Sequence, residues 1–419
     1  MSELRICVDA RVVSGSLGGV EQTIIGLAHG FSQLEDGDEV YHFLAHRNAD
    51  SWITPFLKGR CRPLYTGHIV AVQTPPNWRN ELRSLARQGW HTVAPILGSC
   101  SVPVPVSDGV IERAGVDVMH FSAPVAFRTE VPNLYQIHDL QHQARPENFT
   151  AYERLARDVQ YQTFMSQAQL VSASTSRGRQ DILTYYSMPA NKIIVVPFAP
   201  APTASKLLPQ AEIDTIAQRL NLPERFLFYP AQTWRHKNHI TLLHALAHLR
   251  DEANLVIPLI CSGRRNEFFP AIQREIDALD LGDQVRFLGY VAPQELQTIY
   301  QSCRAVVFPS RYEGFGIPVL EAFQAGRPLA CANIPQLVDI VGDAALLFDP
   351  ANTDEMAQAI RRIWLDRDLQ QSLCQRAIER VAQFDWIRTA RTFRAHHRRI
   401  AGRALTEEDR CLLAATPIV

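Results

Sequence analysis

The chain has 419 residues, more than the ~250–300 at which a single hydrophobic core usually divides, so two domains are expected. Hydrophobic residues at 46% and charged residues at 20% suit a soluble globular protein. Lys and Arg total 42 against 43 Asp and Glu, a formal charge of −1 that argues against the broad basic surface of a general nucleic-acid binder. Met1–Val13 lacks the apolar core of a signal peptide, and no apolar run nears the ~20 residues of a spanning helix. The eight cysteines (7, 61, 100, 261, 303, 331, 374 and 411) show no CxxC spacing, and several sit in apolar runs where a thiol acts as a small hydrophobe. A reduced, cytoplasmic protein is the expectation.

In chain order, a strand over Leu4–Val13 leads through a Ser/Gly turn at Gly18-Gly19 into a helix from Val20 to about Leu34. Strand-like runs recur at Glu39–His46, Val116–Ser122, Asn133–His138, Gln169–Ser174 and Lys192–Phe198, with helical patterns at Tyr152–Ala168 and Arg177–Tyr186. This alternation indicates a parallel sheet covered by helices on both faces. The stretch Tyr65–Gly115 does not alternate. Within it, Trp78–Trp90 predicts a helix with Arg79, Arg83 and Arg87 on one face and Trp78, Leu82, Leu85 and Ala86 on another. Docking on anionic lipid is one reading of that helix. An ordinary surface helix with a solvated basic face is preferred, because many surface helices are this amphipathic.

Ala199–Pro223 is rich in proline and polar residues and reads as a linker, after which the pattern restarts. Strands are expected at Phe226–Tyr229, Leu255–Cys261, Gln284–Val291 and Ala305–Pro309, and helices at Asn238–Arg250, Phe268–Leu279 and Pro293–Ser302. Two more strand–helix units run through Leu347, and amphipathic helices follow to about Ile400. The expected division is an amino domain over residues 1–205, a second doubly wound domain over 206–385, and carboxyl-terminal helices over 386–419 that pack partly on the first domain. Ligands of such domains collect at the carboxyl ends of the strands, in the cleft expected where the two meet.

Four clusters fall at such strand ends. Gly18-Gly19 could offer backbone amides to an anion, but GxGxxG is absent and a tight structural turn explains the pair equally well. His138, followed by Asp139, could hydrogen-bond a substrate hydroxyl, although a polar strand end alone would account for it. Arg235, His236 and Lys237 bunch before Asn238, a good N-cap, where cations and helix dipole together would hold a diphosphate. A solvated basic turn is the competing account.

Ser310–Gly326 is the most specific cluster. A buried strand, a Gly-rich turn with Glu313, and a helix opening at Pro318 make a cradle for a phosphate-bearing ligand. Glu321 falls about one turn in, where it can accept hydrogen bonds from vicinal sugar hydroxyls. Two surface glutamates would explain neither the spacing nor the context. Asp36-Gly-Asp38 and Asp366-Arg-Asp368 match DxD, but neither follows a core strand, so no metal site is expected.

Together these clusters resemble the retaining, metal-independent glycosyltransferases of family 4. Their fold is GT-B, an α/β architecture of two Rossmann-like doubly wound domains facing across a cleft. The resemblance covers nearly the whole chain, most strongly from Phe226 to about Pro350 and least over residues 50–115. Glu313 and Glu321 match the E-x7-E motif, which implies Glu313 near the donor sugar and Glu321 on the nucleotide ribose. The amides of Gly314, Phe315 and Gly316 then meet the sugar or phosphate. Lys237 matches the diphosphate-binding lysine, with help from Arg235. His236 stands where Arg is common, and Gln232 where some members carry another Arg. His138 matches a histidine that contacts the donor sugar and supports catalysis, and Gly18 and Gly19 match first-loop glycines. Gln336 replaces the Glu of a common Pro-Glu pair, whereas Val341–Pro350 is close to a frequent family segment.

The resemblance implies a hexosyltransferase acting with retention, with no cofactor beyond the nucleotide-sugar substrate. GDP-mannose is preferred as donor ahead of a UDP-sugar. A saccharide or lipid-linked saccharide is the expected acceptor, in cell-surface polysaccharide synthesis at the inner face of the membrane. A nucleotide-sugar 2-epimerase shares the fold and is the first alternative. A non-catalytic GT-B subunit is the second, against which the intact set of Glu313, Glu321, Lys237 and His138 argues. An oxidoreductase lacks support without the dinucleotide glycine pattern.

Overall fold

The computed structural model describes residues 3–15, 18–66, 102–204 and 208–419, and the Trp78–Trp90 segment lies outside them. The described residues form two compact units, Met1–Phe198 with Trp386–Val419, and Ala199–Asp385. The first holds a sheet of β1 (Leu4–Asp9), β2 (Glu39–His46), β3 (Cys61–Thr66), β4 (Val118–Phe121), β5 (Asn133–Gln136), β6 (Leu170–Ala173) and β7 (Ile193–Val195). Their spatial order is β3-β2-β1-β4-β5-β6-β7, and every pairing is parallel. The second holds β8 (Leu227–Pro230), β9 (Leu259–Ser262), β10 (Val285–Phe287), β11 (Ala305–Phe308), β12 (Leu329–Ala332) and β13 (Leu346–Phe348) in the order β10-β9-β8-β11-β12-β13, again parallel. Most inner strands, such as β4, β8 and β11, are buried on both faces, as helices on either side require.

Three sequence expectations are corrected. The edge strand β3 escapes the apolar pattern because it carries Pro63 and buries only Cys61 and Thr66 fully. The second strand expected after the linker begins at Leu259 rather than Leu255, since Pro258 precedes it and Val256 is exposed. The proline-rich linker contains a helix, Gln210–Arg219, whose Ile213 and Ile216 are buried; Pro209 marks its start rather than a loop.

The helix Trp386–Ile400 belongs to the first unit because the helix Gly19–Ser32 is grooved to receive it. A Cβ on Gly26 would lie 2.1 Å from the Trp386 ring, and one on Gly30 would lie 2.3 Å from the Trp386 carbonyl. Trp386 also stacks on Phe198 at 6.0 Å, so the first unit ends there rather than at residue 205. Two arginines of this helix are buried with acidic partners. Arg394 pairs with Asp36 at 3.0 Å and Glu408 at 3.3 Å, and Arg398 with Glu39 at 2.5 Å and Asp409 at 2.8 Å. No described helix is long and apolar enough to cross a membrane.

Gly30→Ala should therefore lower the stability of the first unit by about 1–3 kcal/mol through overpacking, read as a lower urea midpoint. Gly19→Ala, where no atom lies within 4 Å of the added Cβ, should change packing little by the same measurement.

Candidate functional site

In both sheets the strand order reverses beside the first strand, and ligands of doubly wound folds bind outside the carboxyl ends at that reversal. In the second unit the reversal lies between β8 and β11, which pair directly. The chain leaving β8 runs to a short 3-10 turn, Arg235–Lys237, and that leaving β11 runs through Pro309–Gly316 to the helix Ile317–Gln324. Hydrogen bonds lace these two loops. The Arg311 N–H donates to the His236 carbonyl at 2.8 Å, and the Tyr229 hydroxyl donates to the Lys237 carbonyl at 2.6 Å. Asn238 donates from Nδ2 to the carbonyls of Pro309 at 3.0 Å and Pro350 at 2.8 Å, and accepts from Thr241 Oγ1 at 2.7 Å.

Asn238 occupies the N-cap position of the helix His239–Ala253 but does not cap with its side chain, contrary to the sequence expectation. It adopts a left-handed φ of 62°, which asparagine tolerates better than most residues, and its amide is committed to the neighbouring loops. The consequence is positional. Lys237 Nζ lies 2.6 Å from Glu313 Oε1, with side chains 17% and 9% exposed. The same ammonium sits 5.7 Å from the Phe308 ring centroid. A cation and a carboxylate 76 positions apart in the chain thus share a half-dry loop junction. Arg235 lies on the exposed side of the turn, and its guanidinium has no partner among the described residues.

Gly316 caps the helix Ile317–Gln324 with φ 96°, and a Cβ there would meet Leu337 at 2.7 Å, so glycine is required for both backbone and space. Phe315 turns its ring to Phe384 at 6.2 Å and is buried, which leaves only its backbone for a ligand. Glu321 is 5% exposed and accepts from the Tyr300 hydroxyl at 3.0 Å through Oε2. No described residue donates to its Oε1. Burial pushes the Glu321 carboxyl up to about 7, against the Tyr300 hydrogen bond, which lowers it. Lys237 and Glu313 are thus brought together, whereas Glu321 stands apart with Tyr300.

Several members of this region were not legible in the sequence. Tyr300 belongs to the helix Pro293–Ser302 and reads as an ordinary core aromatic until it meets Glu321. Thr233 and Asn266 join the loops after β8 and β9, with Asn266 N–H donating to Thr233 Oγ1 at 2.9 Å. Gly263 permits that approach, since a Cβ on it would lie 2.5 Å from the Ala231 carbonyl; the Ser262-Gly263 strand end was its only signal. His236 is pushed down to about 2 by burial and then by Lys237, so it is neutral and does not replace the positive charge of an arginine.

In the first unit, Gly18 takes φ 42° at the N-cap of the helix Gly19–Ser32. The loop before it is held by Glu21, which accepts from Ser14 Oγ at 3.1 Å and Gly15 N–H at 2.7 Å. His138 follows β5 and bonds through Nε2 to the Ser122 carbonyl at 2.7 Å. Neither DxD match follows the carboxyl end of a core strand: Asp38 directly precedes β2, and Asp366 caps the helix Arg367–Val381 by accepting from Leu369 N–H at 2.9 Å. No group of three or more His, Cys, Asp or Glu among the described residues could hold a metal.

The arrangement of two parallel doubly wound units is the GT-B fold. Anabaena HepE, solved with UDP and glucose, superposes with a TM-score of 0.68 at 18% identity, over 94% of this chain and 99% of that one. WaaG, a glycosyltransferase of lipopolysaccharide biosynthesis, does so with a TM-score of 0.63 at 13% identity, over 95% and 100%. Residues 212–380, most of the second unit, match the family Glycosyl transferases group 1. The O-antigen chain mannosyltransferase B of Escherichia coli is 30% identical over 225 residues, 53% of this chain and 58% of that protein. The O-antigen chain mannosyltransferase RfbU of Salmonella typhimurium is 31% identical over 140 residues, 33% and 38% respectively. The chain spans less than two thirds of the length of these relatives.

The Lys237–Glu313 pair predicts strong coupling. Lys237→Ala should destabilise the second unit by about 1–3 kcal/mol, because it leaves a partly buried carboxylate without its partner. Adding Glu313→Gln should recover part of that loss in a double-mutant cycle read by chemical denaturation; strict additivity would show that the pair is energetically idle.

Proposed function

We propose that this protein is a retaining, metal-independent glycosyltransferase that moves a hexose from a nucleotide-diphosphate sugar to a saccharide or lipid-linked saccharide in cell-surface polysaccharide synthesis. The observation that carries the reading is the meeting of Lys237 and Glu313 at the reversal of the second sheet, beside the N-terminus of the helix Ile317–Gln324. A diphosphate entering there would draw the Lys237 ammonium from Glu313 and free that carboxylate for the donor sugar. The turn amides of Gly314, Phe315 and Gly316 and the positive helix end add partial charge toward the same anion. Charge developing on the leaving diphosphate is then stabilised by groups already in place, which favours the transition state over the ground state. Arg235 assists from the exposed side of the turn.

Glu321 is assigned to the ribose, whose vicinal hydroxyls would donate to a carboxylate with one oxygen unclaimed. His138 is assigned to a sugar hydroxyl, and Gly18 and Gly19 to phosphate and acceptor. GDP-mannose is the preferred donor, supported by the mannosyltransferase names of the relatives; a UDP-sugar comes next, because HepE was solved with UDP. Contact with the inner face of the membrane follows from a lipid-linked acceptor. No observation favours the 2-epimerase or a non-catalytic subunit.

In a thermal-shift screen of GDP-, UDP-, ADP- and TDP-sugars, GDP-mannose should raise Tm most; a larger shift with a UDP-sugar would move the donor assignment, and no shift with any of them would refute the donor site. Glu321 supplies a pH test. Burial raises its pKa from the usual 4.5 of a glutamate to about 7, so the ribose meets a carboxylate above pH 7 and a neutral acid below it. Donor affinity should fall roughly tenfold between pH 8 and pH 6, and Glu321→Gln should be weaker and flat across that range by calorimetry. The stability sign is opposite. The folded state holds this proton more tightly than the unfolded chain, so the group's contribution falls as pH rises from about 4.5 to about 7. Glu321→Gln should therefore raise Tm at pH 8 while it weakens the donor. His138→Ala should lower turnover by on the order of a hundredfold with donor affinity little changed; wild-type turnover would remove it from the mechanism.

A further inference from the structure

A chain of buried polar groups ends on His138. Its Nε2 lies 2.7 Å from the Ser122 carbonyl, which can only accept, so the hydrogen sits on Nε2 and the lone pair on Nδ1. No described residue donates to that Nδ1, and the ring keeps partial exposure. Gln136, two residues earlier and so on the same side of an extended run, reaches His138 Nε2 with one end of its amide and His120 Nε2 with the other, each at 3.3 Å. His120 Nδ1 in turn lies 3.2 Å from Nε2 of His397, on the helix Trp386–Ile400. Gln136, His120 and His397 are all 0% exposed, and Phe393 packs on the His120 ring at 4.6 Å.

Burial keeps His120 and His397 neutral, His120 down to about 3, so each ring carries one N–H and the order of donors is determined. The two ends of an amide are assigned by their partners. With its NH2 toward His138 and its oxygen toward His120, as the amide stands, Gln136 would set a donor against the His138 N–H; turned about, its oxygen accepts from His138 and its NH2 donates to His120 Nε2. That nitrogen must be unprotonated, which puts the His120 hydrogen on Nδ1, donating to His397 Nε2. The His397 hydrogen is then on Nδ1, which is buried and meets no acceptor among the described residues, so the chain ends there. A polar chain of this kind is costly to bury, and its inner members offset that cost by satisfying one another.

We propose that Gln136 is a positioning residue for His138, anchored through His120 to His397 of the returning helix, and that the chain presents His138 Nδ1 as the acceptor for a substrate hydroxyl. This rests on the sugar-facing role given to His138 under the proposed function. It makes the helix Trp386–Ile400 part of the chemistry of the first unit as well as of its stability. A ring held at one nitrogen by a carbonyl keeps its tautomer, and the Gln136 contact fixes the direction in which Nδ1 points.

The test is two-bond ¹H–¹⁵N NMR on the full chain labelled at histidine, assigned by single substitutions and read without any donor. The expected pattern is Nε2–H for His138 and Nδ1–H for His120 and His397; Nδ1–H on His138 overturns the proposal. In turnover, Gln136→Leu and His397→Leu should each lower kcat by on the order of tenfold with donor KM within about twofold, the range typical of losing an outer partner. His397→Gln, whose amide oxygen can accept from His120, should recover most of the activity and the His120 tautomer. A fall in Tm with unchanged kcat in the two leucine variants would reduce the chain to a structural role and refute the proposal. Because the tautomers are read without substrate, a correct pattern in a protein that transfers no sugar refutes the proposed function and leaves the positioning chain standing.

Discussion

Direct pairing of β8 with β11 is the constraint on which the second unit's chemistry depends. In a doubly wound parallel sheet the helices go to one face on one side of the reversal and to the other face beyond it. The two loops at the reversal therefore have room to meet above the strand ends. Lys237 and Glu313 arrive there from distant parts of the chain and lie 2.6 Å apart. The pair is held by uncharged contacts: Tyr229 under the Lys237 carbonyl, Arg311 N–H on His236, and Asn238 across two loops. These satisfied backbone groups fix the loop junction in the way that the proposed electrostatic stabilisation of a leaving diphosphate would need.

The first unit is organised by a different economy of space. Gly26 and Gly30 remove volume from one helix so that Trp386 can press against it. The same returning helix brings Arg394 and Arg398 into contact with acids from the first unit's own turn, strand and last helix. Burying charges is expensive, and these pairs are tolerable because each guanidinium meets more than one acceptor. The helix also delivers His397 to His120, so a segment far along the chain reaches the surroundings of His138.

Burial is what gives the remaining groups their chemical character. Glu321 is held near neutrality because its environment disfavours charge, while Tyr300 offers one hydrogen bond in partial return. His236 is neutral for the same reason, with the Lys237 charge adding to it. The positive charge at the loop junction thus rests on Lys237, with Arg235 at the edge. Under the proposed ribose assignment, stability and ligand binding would pull in opposite directions at Glu321.

Much of this was legible in the chain itself. Apolar runs of four to six residues, separated by amphipathic helices, dictate two parallel doubly wound sheets, and Gly-rich turns after β11 mark a loop against a helix N-terminus. Glu313, Lys237 and His138 stood out as polar residues in the segments that leave apolar strands, and Glu321 by its place about one turn into the helix that follows. The edge strand β3 and the helix Gln210–Arg219 were hidden by prolines, which signal breaks locally and cannot show that the flanking residues still pack. Asn238 looked like a cap because capping is a local rule, yet its side chain is claimed by Pro309 and Pro350. Tertiary structure alone decided that Lys237 meets Glu313, that Tyr300 touches Glu321, and that His397 reaches toward His138 through His120 and Gln136. The physical reason is range: periodicity and turn chemistry act over a few residues, whereas these contacts join segments that only the sheet order and a returning helix bring together.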